Sequence, residues 1–444
     1  MWNISRNVLA LGLIACLLPS LSWAADVLLT ADGAVGDGVT DDTTNVQTTL
    51  TTCSTNGDRC VVPSGKTFKI TNRLFMWGAG SLYAETKTDG LTFDGTGTNL
   101  VNFGLSAMNV SADVWTGTVS HMTFTVTGGA GGRILFFWRT NGATVTDNIF
   151  TVGATAYSAT SSGNNQPYLN DCEANAYSAT NPCVRRNITI TNNLITGTGT
   201  DLGSEGFGLG HFDGAIIDNN DVRAVGDDPI ALHFCTNSRV TNNRVSSLDG
   251  RVFIVNSRNV LVASNRISRT PRVSTGTFYA GIALLYIGFE DTATNSYSAP
   301  TNITVHNNKL IYPVGAIDSG AAIYLYGLRS SYVANNRIYN DSSTLTAQGI
   351  YLLPFPFVGV WTDPDGIDPT TVGRVHDNLI ENNSTTHGMV SRPMIMTGNC
   401  ADHVGTLGLR NNQALSFSFY CGFANIGAYQ STSGDPAATR AVRN

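Results

Sequence analysis

Apolar residues recur at every second position in short runs along most of the chain, as in PIALHF (229–234), SRVTNN (238–243) and RVSS (244–247). Each run is bounded by Gly, Asn, Asp or Ser. Period-two alternation over four to six residues predicts strands with one buried face. One early segment follows another rhythm: from about Asp42 to Cys53 the spacing predicts a helix, with Thr40 or Asp41 as its N-cap. VVPSGKTFKI (61–70) supplies the first strands after it.

A longer period lies over the short one. The triplets TNN (191–193), DNN (218–220), TNN (241–243), ASN (263–265), HNN (306–308), ANN (334–336) and HDN (376–378) all end in Asn, and Val, Leu or Ile follows within two residues. The gaps between their last residues are 27, 23, 22, 43, 28 and 42, and Asn148 extends the series backwards. The unit is thus about 22 residues, with insertions or skipped turns. Three short strands per unit is the arithmetic of a parallel β-helix, in which each coil lies on the last and strands pair about 4.8 Å apart. An Asn at one corner of every coil is expected both to adopt a left-handed bend and to pass amide hydrogen bonds up the stack.

The fold class expected is therefore all-β, a parallel β-helix with an N-terminal helical cap. Residues 1–24 form a leader, 25–75 the cap and first strands, 76–430 the catalytic β-helix and 431–444 a tail. The leader has Arg6, an apolar run broken by Pro19, and Ser22-Trp23-Ala24 as a small-x-small cleavage site. It reads as a secretory signal peptide cleaved near Ala24, giving a secreted or periplasmic protein. Leu13-Ile14-Ala15-Cys16 also resembles a lipoprotein cleavage box, a second route of export. No later segment holds 18 uninterrupted apolar residues, so no membrane span is expected.

The chain has 26 Lys and Arg against 32 Asp and Glu, and loss of Arg6 with the leader takes the formal charge from -6 to -7. No basic run could neutralise phosphates, which excludes nucleic acid as a partner. Export permits disulfides, and proximity in sequence pairs Cys53 with Cys60, Cys172 with Cys183 and Cys400 with Cys421. Cys235 is left over, buried and unpaired. The cysteine spacings fit no zinc site.

The segment ADGAVGDGVTDDTTNVQ (31–47) followed by VVPSGKTFKI resembles the N-terminal cap of the pectate-lyase-like and polygalacturonase-like superfamily of right-handed β-helix proteins. Asp37, Asp41 and Asp42 in it are read as structural.

On such a fold, substrate lies against an outer face, so function shows as polar residues recurring at the coil period. Counting 22 either way from Asp227 lands on Glu205 and Asp249, and 22 back from His233 lands on His211. Glu205, Asp227 and Asp228 are the candidate catalytic residues. Paired carboxyls on adjacent coils are the material of glycosidic hydrolysis, one protonating the leaving oxygen and another activating water. Crowding of like charges raises one proton affinity and supplies the acid. His211, His233, Asp249 and Arg251 stand beside them as substrate-binding candidates. Tyr286, Tyr324, Tyr326 and Tyr351 on later coils offer rings for a sugar's apolar face. The insertions 155–185, with Tyr168 and Tyr177, and 353–371, with Trp361, are expected to wall the groove. No cofactor is required, although Asp363, Asp365 and Asp368 have oxygen-ligand spacing that could hold Ca²⁺.

Gly226-Asp227-Asp228-Pro229-Ile230-Ala231-Leu232 resembles the Asp-Asp segment of polygalacturonase-type glycoside hydrolases, and Gly203-Ser204-Glu205-Gly206 stands where their Asn-Thr-Asp-Gly would be. Asp249-Gly250 replaces their His-Gly, and GIALLYI (281–287) lacks their Arg-Ile-Lys, which argues against galacturonan itself. The Asp-Asp segment with His233 is also similar to that of β-helix exo-α-galactosidases. The resemblance implies a polysaccharide-degrading hydrolase, and a monomer is expected. A lyase or uronate C5-epimerase, using His211, His233 or Arg251, is the alternative on the same fold, and a non-catalytic glycan-binding surface protein is the third.

Overall fold

The computed structural model describes residues 24–94, 99–104, 114–127, 132–152, 157–161, 185–197, 206–225, 228–247, 251–269, 281–285, 301–313, 321–326, 330–340, 348–353, 378–381, 384–386, 395–397, 407–410 and 418–419. The leader with Cys16, the Cys172–Cys183 and Cys400–Cys421 pairs, Tyr168, Tyr177 and Trp361 lie outside these residues.

The alternating runs fold into three long sheets in which every described pairing is parallel. The first has 13 strands, from Asp26–Leu28 to Leu407–Arg410; the second has 12, from Asp37–Asp41 to Ser384–Thr386; the third has 12, from Leu74–Met76 to Ser418–Phe419. The chain visits the three sheets in turn and returns one strand higher, as the pairing of Ile216, Arg239, Leu261 and Thr304 along the first sheet shows. Inward positions form one continuous apolar column of Val, Ile, Leu and Phe. Near its N-terminal end the column is filled by Phe103, Trp115 and Phe137 rings, with Trp115 Nε1 donating to Gly80 O at 2.8 Å.

The asparagines divide the two tasks expected of one residue. From Asn148 to Asn336 the last Asn of each group points inward and is at most 1% exposed. Its Nδ2 donates to the Oδ1 of the next: Asn148 to Asn193, then Asn220, Asn243, Asn265, Asn308 and Asn336, all at 2.9–3.0 Å. The preceding residue takes the left-handed bend instead: Asp147, Asn192, Asn219, Asn242, Ser264, Asn307 and Asn335 have φ between 52° and 59°. A left-handed residue turns its own side chain outward, so the inward rung has to be its neighbour. Asn265 bonds Asn308 directly, so the gap of 43 is one coil with an insertion and not a skipped turn.

The helix runs Thr43–Asn56 and buries Val46, Leu50 and Cys53 against the first coil. Its N-cap is Asp42, not Thr40 or Asp41, because the strand Asp37–Asp41 continues up to it. The Asp42 carboxylate does not cap the helix; it accepts from Val35 N and Gly36 N, and thereby holds the preceding turn. That is the structural role expected of this acidic segment. Gly57 ends the helix in the left-handed conformation, and a Cys53–Cys60 disulfide ties the helix to the strand Arg59–Val62. Among the described residues no helix is long and apolar enough to cross a membrane.

Candidate functional site

Outward positions of the third sheet carry the candidate site. In the strand Ile230–His233, Ile230 and Leu232 face the core, so Ala231 and His233 face out. The register pairs Gly208 with Ala231 and Phe253, and Gly210 with His233 and Val255. Ala231, Phe253, Val255 and Ala283 form a second apolar cluster on this outer surface, with Tyr324 packed against it.

Asp228 stands just before this strand and is 7% exposed. Arg251 Nε donates to its Oδ1 at 3.0 Å. The Arg251 guanidinium also lies 4.1 Å over the Phe253 ring, which the sequence reading did not single out. Arg251 and Phe253 are two residues apart at the start of one strand, and period two puts them on one side; that spacing was the signal available. Cation–π contact and ion pair together fix the guanidinium at the edge of the face. His233, 4% exposed, meets Phe253 edge to face at 5.5 Å, and its Nδ1 is buried with no hydrogen-bond partner. Burial first, and then the Arg251 charge, push its pKa down to about 4, so it is neutral at physiological pH.

His211 does not join His233 on this surface. The strands Phe207–Gly210 and Ile230–His233 pair at an offset of 23, so the partner of His233 is Gly210 and the count of 22 falls one residue late. His211 sits instead at the sheet corner with φ 59°, donates its backbone N–H to His233 O, and stacks on Phe234 at 5.0 Å. Its Nδ1 is buried without a partner, and burial, Arg185 and His233 lower its pKa to about 3. Cys235 is the free buried thiol expected, and burial raises its pKa to about 12, which makes it inert.

Of the other sequence candidates, Tyr324 lies on the outer surface in register with Ala283 and Tyr351, and Tyr326 is in register with Leu285 and Leu353. Glu205, Asp227, Asp249, Tyr286 and the acidic trio Asp363, Asp365 and Asp368 lie outside the described residues. Among the described residues no cluster of His, Cys, Asp or Glu could hold a metal ion.

A family model described as "Right handed beta helix region" matches residues 183–352. Among solved structures, the catalytic unit of a thermostable GH87 α-1,3-glucanase from Streptomyces thermodiastaticus aligns over 93% of this chain and 71% of its own, with 14% identity and a TM-score of 0.52. The A-module of a mannuronan C-5 epimerase from Azotobacter vinelandii aligns over 91% of this chain and 100% of its own, with 15% identity and a TM-score of 0.51. A search of curated proteins finds no match. At these identities the likeness is one of fold. Three parallel sheets, the asparagine ladder and the matched region agree: the chain is a right-handed parallel β-helix.

Proposed function

We propose that this chain is an exported carbohydrate-active enzyme that hydrolyses glycosidic bonds in a polysaccharide laid against the outer face of the third sheet. The observation that carries the reading is the Asp228–Arg251 ion pair beside Phe253 on that face, in which the carboxylate is buried and the Arg251 side chain stays 25% exposed. Burying one partner of a charged pair is costly, and this one lies on an outer surface, where the core gains nothing from it. An ion pair with a guanidinium suits a carboxylate that remains charged. Asp228 therefore activates water together with Glu205, and Asp227 is the acid. Water adds to the anomeric carbon while its proton passes to the carboxylate, and the bond to the leaving oxygen breaks as Asp227 protonates it. The two neighbours described above carry names of polysaccharide-acting proteins, one for α-1,3-glucan and one for mannuronan.

One observation favours the lyase or epimerase reading: His233 is neutral, faces outward, and has a free Nδ1 near the Arg251 charge. A base and a neighbouring cation are what proton abstraction next to a uronate carboxylate requires.

The test is a reducing-end release screen over α-1,3-glucan, alginate and polygalacturonate, with wild type beside Asp228→Asn. Release that falls about 100-fold or more in the variant supports hydrolysis, on the usual worth of acid–base groups. Ultraviolet absorbance of an unsaturated uronate, or exchange of the uronate C5 hydrogen without cleavage, would replace it with the lyase or epimerase. Equal release by both proteins would remove Asp228 from the chemistry.

A further inference from the structure

The outward column that opens each strand of the second sheet changes character along the stack. After the cap strand it runs Thr67, Gly90, Thr123, Ile149 and Leu194, without a charge. Asp221 follows, paired with Arg223 on its own strand. The next four strands then open with Arg244, Arg266, Lys309 and Arg337, each in direct register with the one before, and Ser384 ends the series. The chain has no basic run, yet the coil period gathers these cations from four coils into one row about 14 Å long.

Nothing on the protein neutralises this row. Val245, Ile267, Leu310 and Ile338 beside the cations point into the core, so the charged side chains point out. Arg244, Arg266 and Arg337 are exposed and Lys309 is half-buried. Among the described residues none of the four meets a carboxylate. The neighbouring outward column offers Ser246, Ser268, Ile311 and Tyr339 in place of acids, and Lys309 Nζ lies 4.4 Å from the centre of the Tyr339 ring. Like charges directly opposite one another destabilise paired strands. At about 4.8 Å apart they also fall within the roughly 8 Å over which physiological salt screens them. On the earlier coils the same neighbouring column is Thr92, Thr125, Thr151 and Thr196, so the sheet stands without such charges. The chain as a whole has a formal charge of -6, so the row is not the overflow of a basic surface.

Unpaired cations in single file, one per coil, suit a linear polymer with one negative charge per repeat. A glycan of linked uronic acids carries one carboxylate per ring, and a pyranose is close to one strand spacing in length. Duplex DNA carries a charge every ~1.7 Å of axis, far denser than this row. The Ser246 and Ser268 hydroxyls and the Tyr339 ring stand where sugar hydroxyls and a sugar's apolar face would meet them. We infer that Arg244, Arg266, Lys309 and Arg337 form a binding surface for an acidic polysaccharide lying along the helix axis, its carboxylates taken one per coil. This surface belongs to the second sheet and Asp228 to the third, and the inference does not rest on the hydrolase reading. It anchors the protein on an acidic matrix and takes no part in bond cleavage.

The experiment is affinity electrophoresis in gels containing alginate, polygalacturonate or neutral dextran, with each mobility referenced to a polymer-free gel. Wild type is expected to be retarded by the two acidic polymers and not by dextran, and to run free at about 1 M salt, where the Debye length falls to about 3 Å. The double variant Arg266→Gln/Lys309→Gln is expected to bind roughly 3- to 10-fold more weakly, as loss of two exposed ion pairs implies. Arg266→Lys, which keeps the charge, and the charge-matched control Lys66→Gln/Lys87→Gln are expected to bind as wild type does. Should the double variant fail to fold, acetylation of Lys309 in the wild-type protein, slowed by alginate, reads the same contact. Equal binding by wild type and the double variant, an equal loss in the control, or unchanged Lys309 acetylation would overturn the surface. So would retardation by dextran to the same degree, or none by any polymer. Tighter retention by single-stranded DNA than by alginate would overturn the sugar as its partner.

Discussion

At the corner joining the first sheet to the second, two residues separate the strands in seven coils, from Asp147-Asn148 to Asn335-Asn336. Around the third sheet the linking lengths vary freely: 5 residues lead from Ile230–His233 to Arg239–Thr241, and 18 from Ile282–Leu285 to Thr304–His306. Along those seven coils the corner is tied by the asparagine ladder, while the other region keeps only its register. Invariance thus marks what the stack needs to stand, and the candidate site occupies the part that the stack leaves free.

If that contrast is right, substitutions at the two places fail in different ways. The largest effect is expected at the middle of the ladder. Asn243→Ala removes the acceptor for Asn220 N and Nδ2 and the donor to Asn265 Oδ1 and Ile217 O, all buried. Stranded buried groups of this kind cost about 3–5 kcal/mol together, read as a fall in the denaturation midpoint with little change in KM of the remaining folded enzyme. Asp228→Asn comes next: an activity loss of about 100-fold, equivalent to about 2.7 kcal/mol, with a melting temperature that barely moves. A variant that melted early and kept its activity would show that the ion pair belongs to the scaffold.

The histidines give a third, smaller test. Their folded pKa values lie below the ordinary 6.5, at about 4 for His233 and about 3 for His211. Between pH 6.5 and 4 the unfolded chain binds protons that the folded chain refuses, so stability falls as pH falls, by at most about 1.4 kcal/mol per pH unit for each histidine. Above pH 6.5 neither contributes a slope. His233→Gln is expected to flatten the acid limb of a stability–pH curve; an unchanged limb would mean that this imidazole is already charged in the fold. The smallest effect belongs to the outer rung, where Asn219 Nδ2 donates to Asn192 Oδ1 in exposed positions. Asn219→Ala should cost about 1 kcal/mol, chiefly for the left-handed backbone that alanine disfavours, and Asn219→Gly much less; equal losses would instead indict the amide.

The same contrast explains what could be read from the sequence. The ladder was legible because a residue that must bond its own copy one coil away recurs at the coil period, and the inward-facing apolar runs travel with it. The division of labour within each triplet was not, since an asparagine looks the same in a string whether it bends or bonds. At the site, Asp228 and Arg251 were legible as charges beside a strand, and Phe253 beneath the guanidinium was missed. His211 was misplaced because a coil of 23 residues in place of 22 shifts a side chain from a face to a corner, and nothing in the alternation pattern measures one coil to the residue.

The free linking lengths around the third sheet also bear on how such a protein changes over generations. Doubling a loop costs only about 0.6 kcal/mol in closure entropy, and each coil depends only on its immediate neighbours. Linking segments of this kind can therefore be exchanged between lineages while the asparagine corner stays intact. The frame can be inherited as it stands and refitted for a different polymer by trading its borders alone.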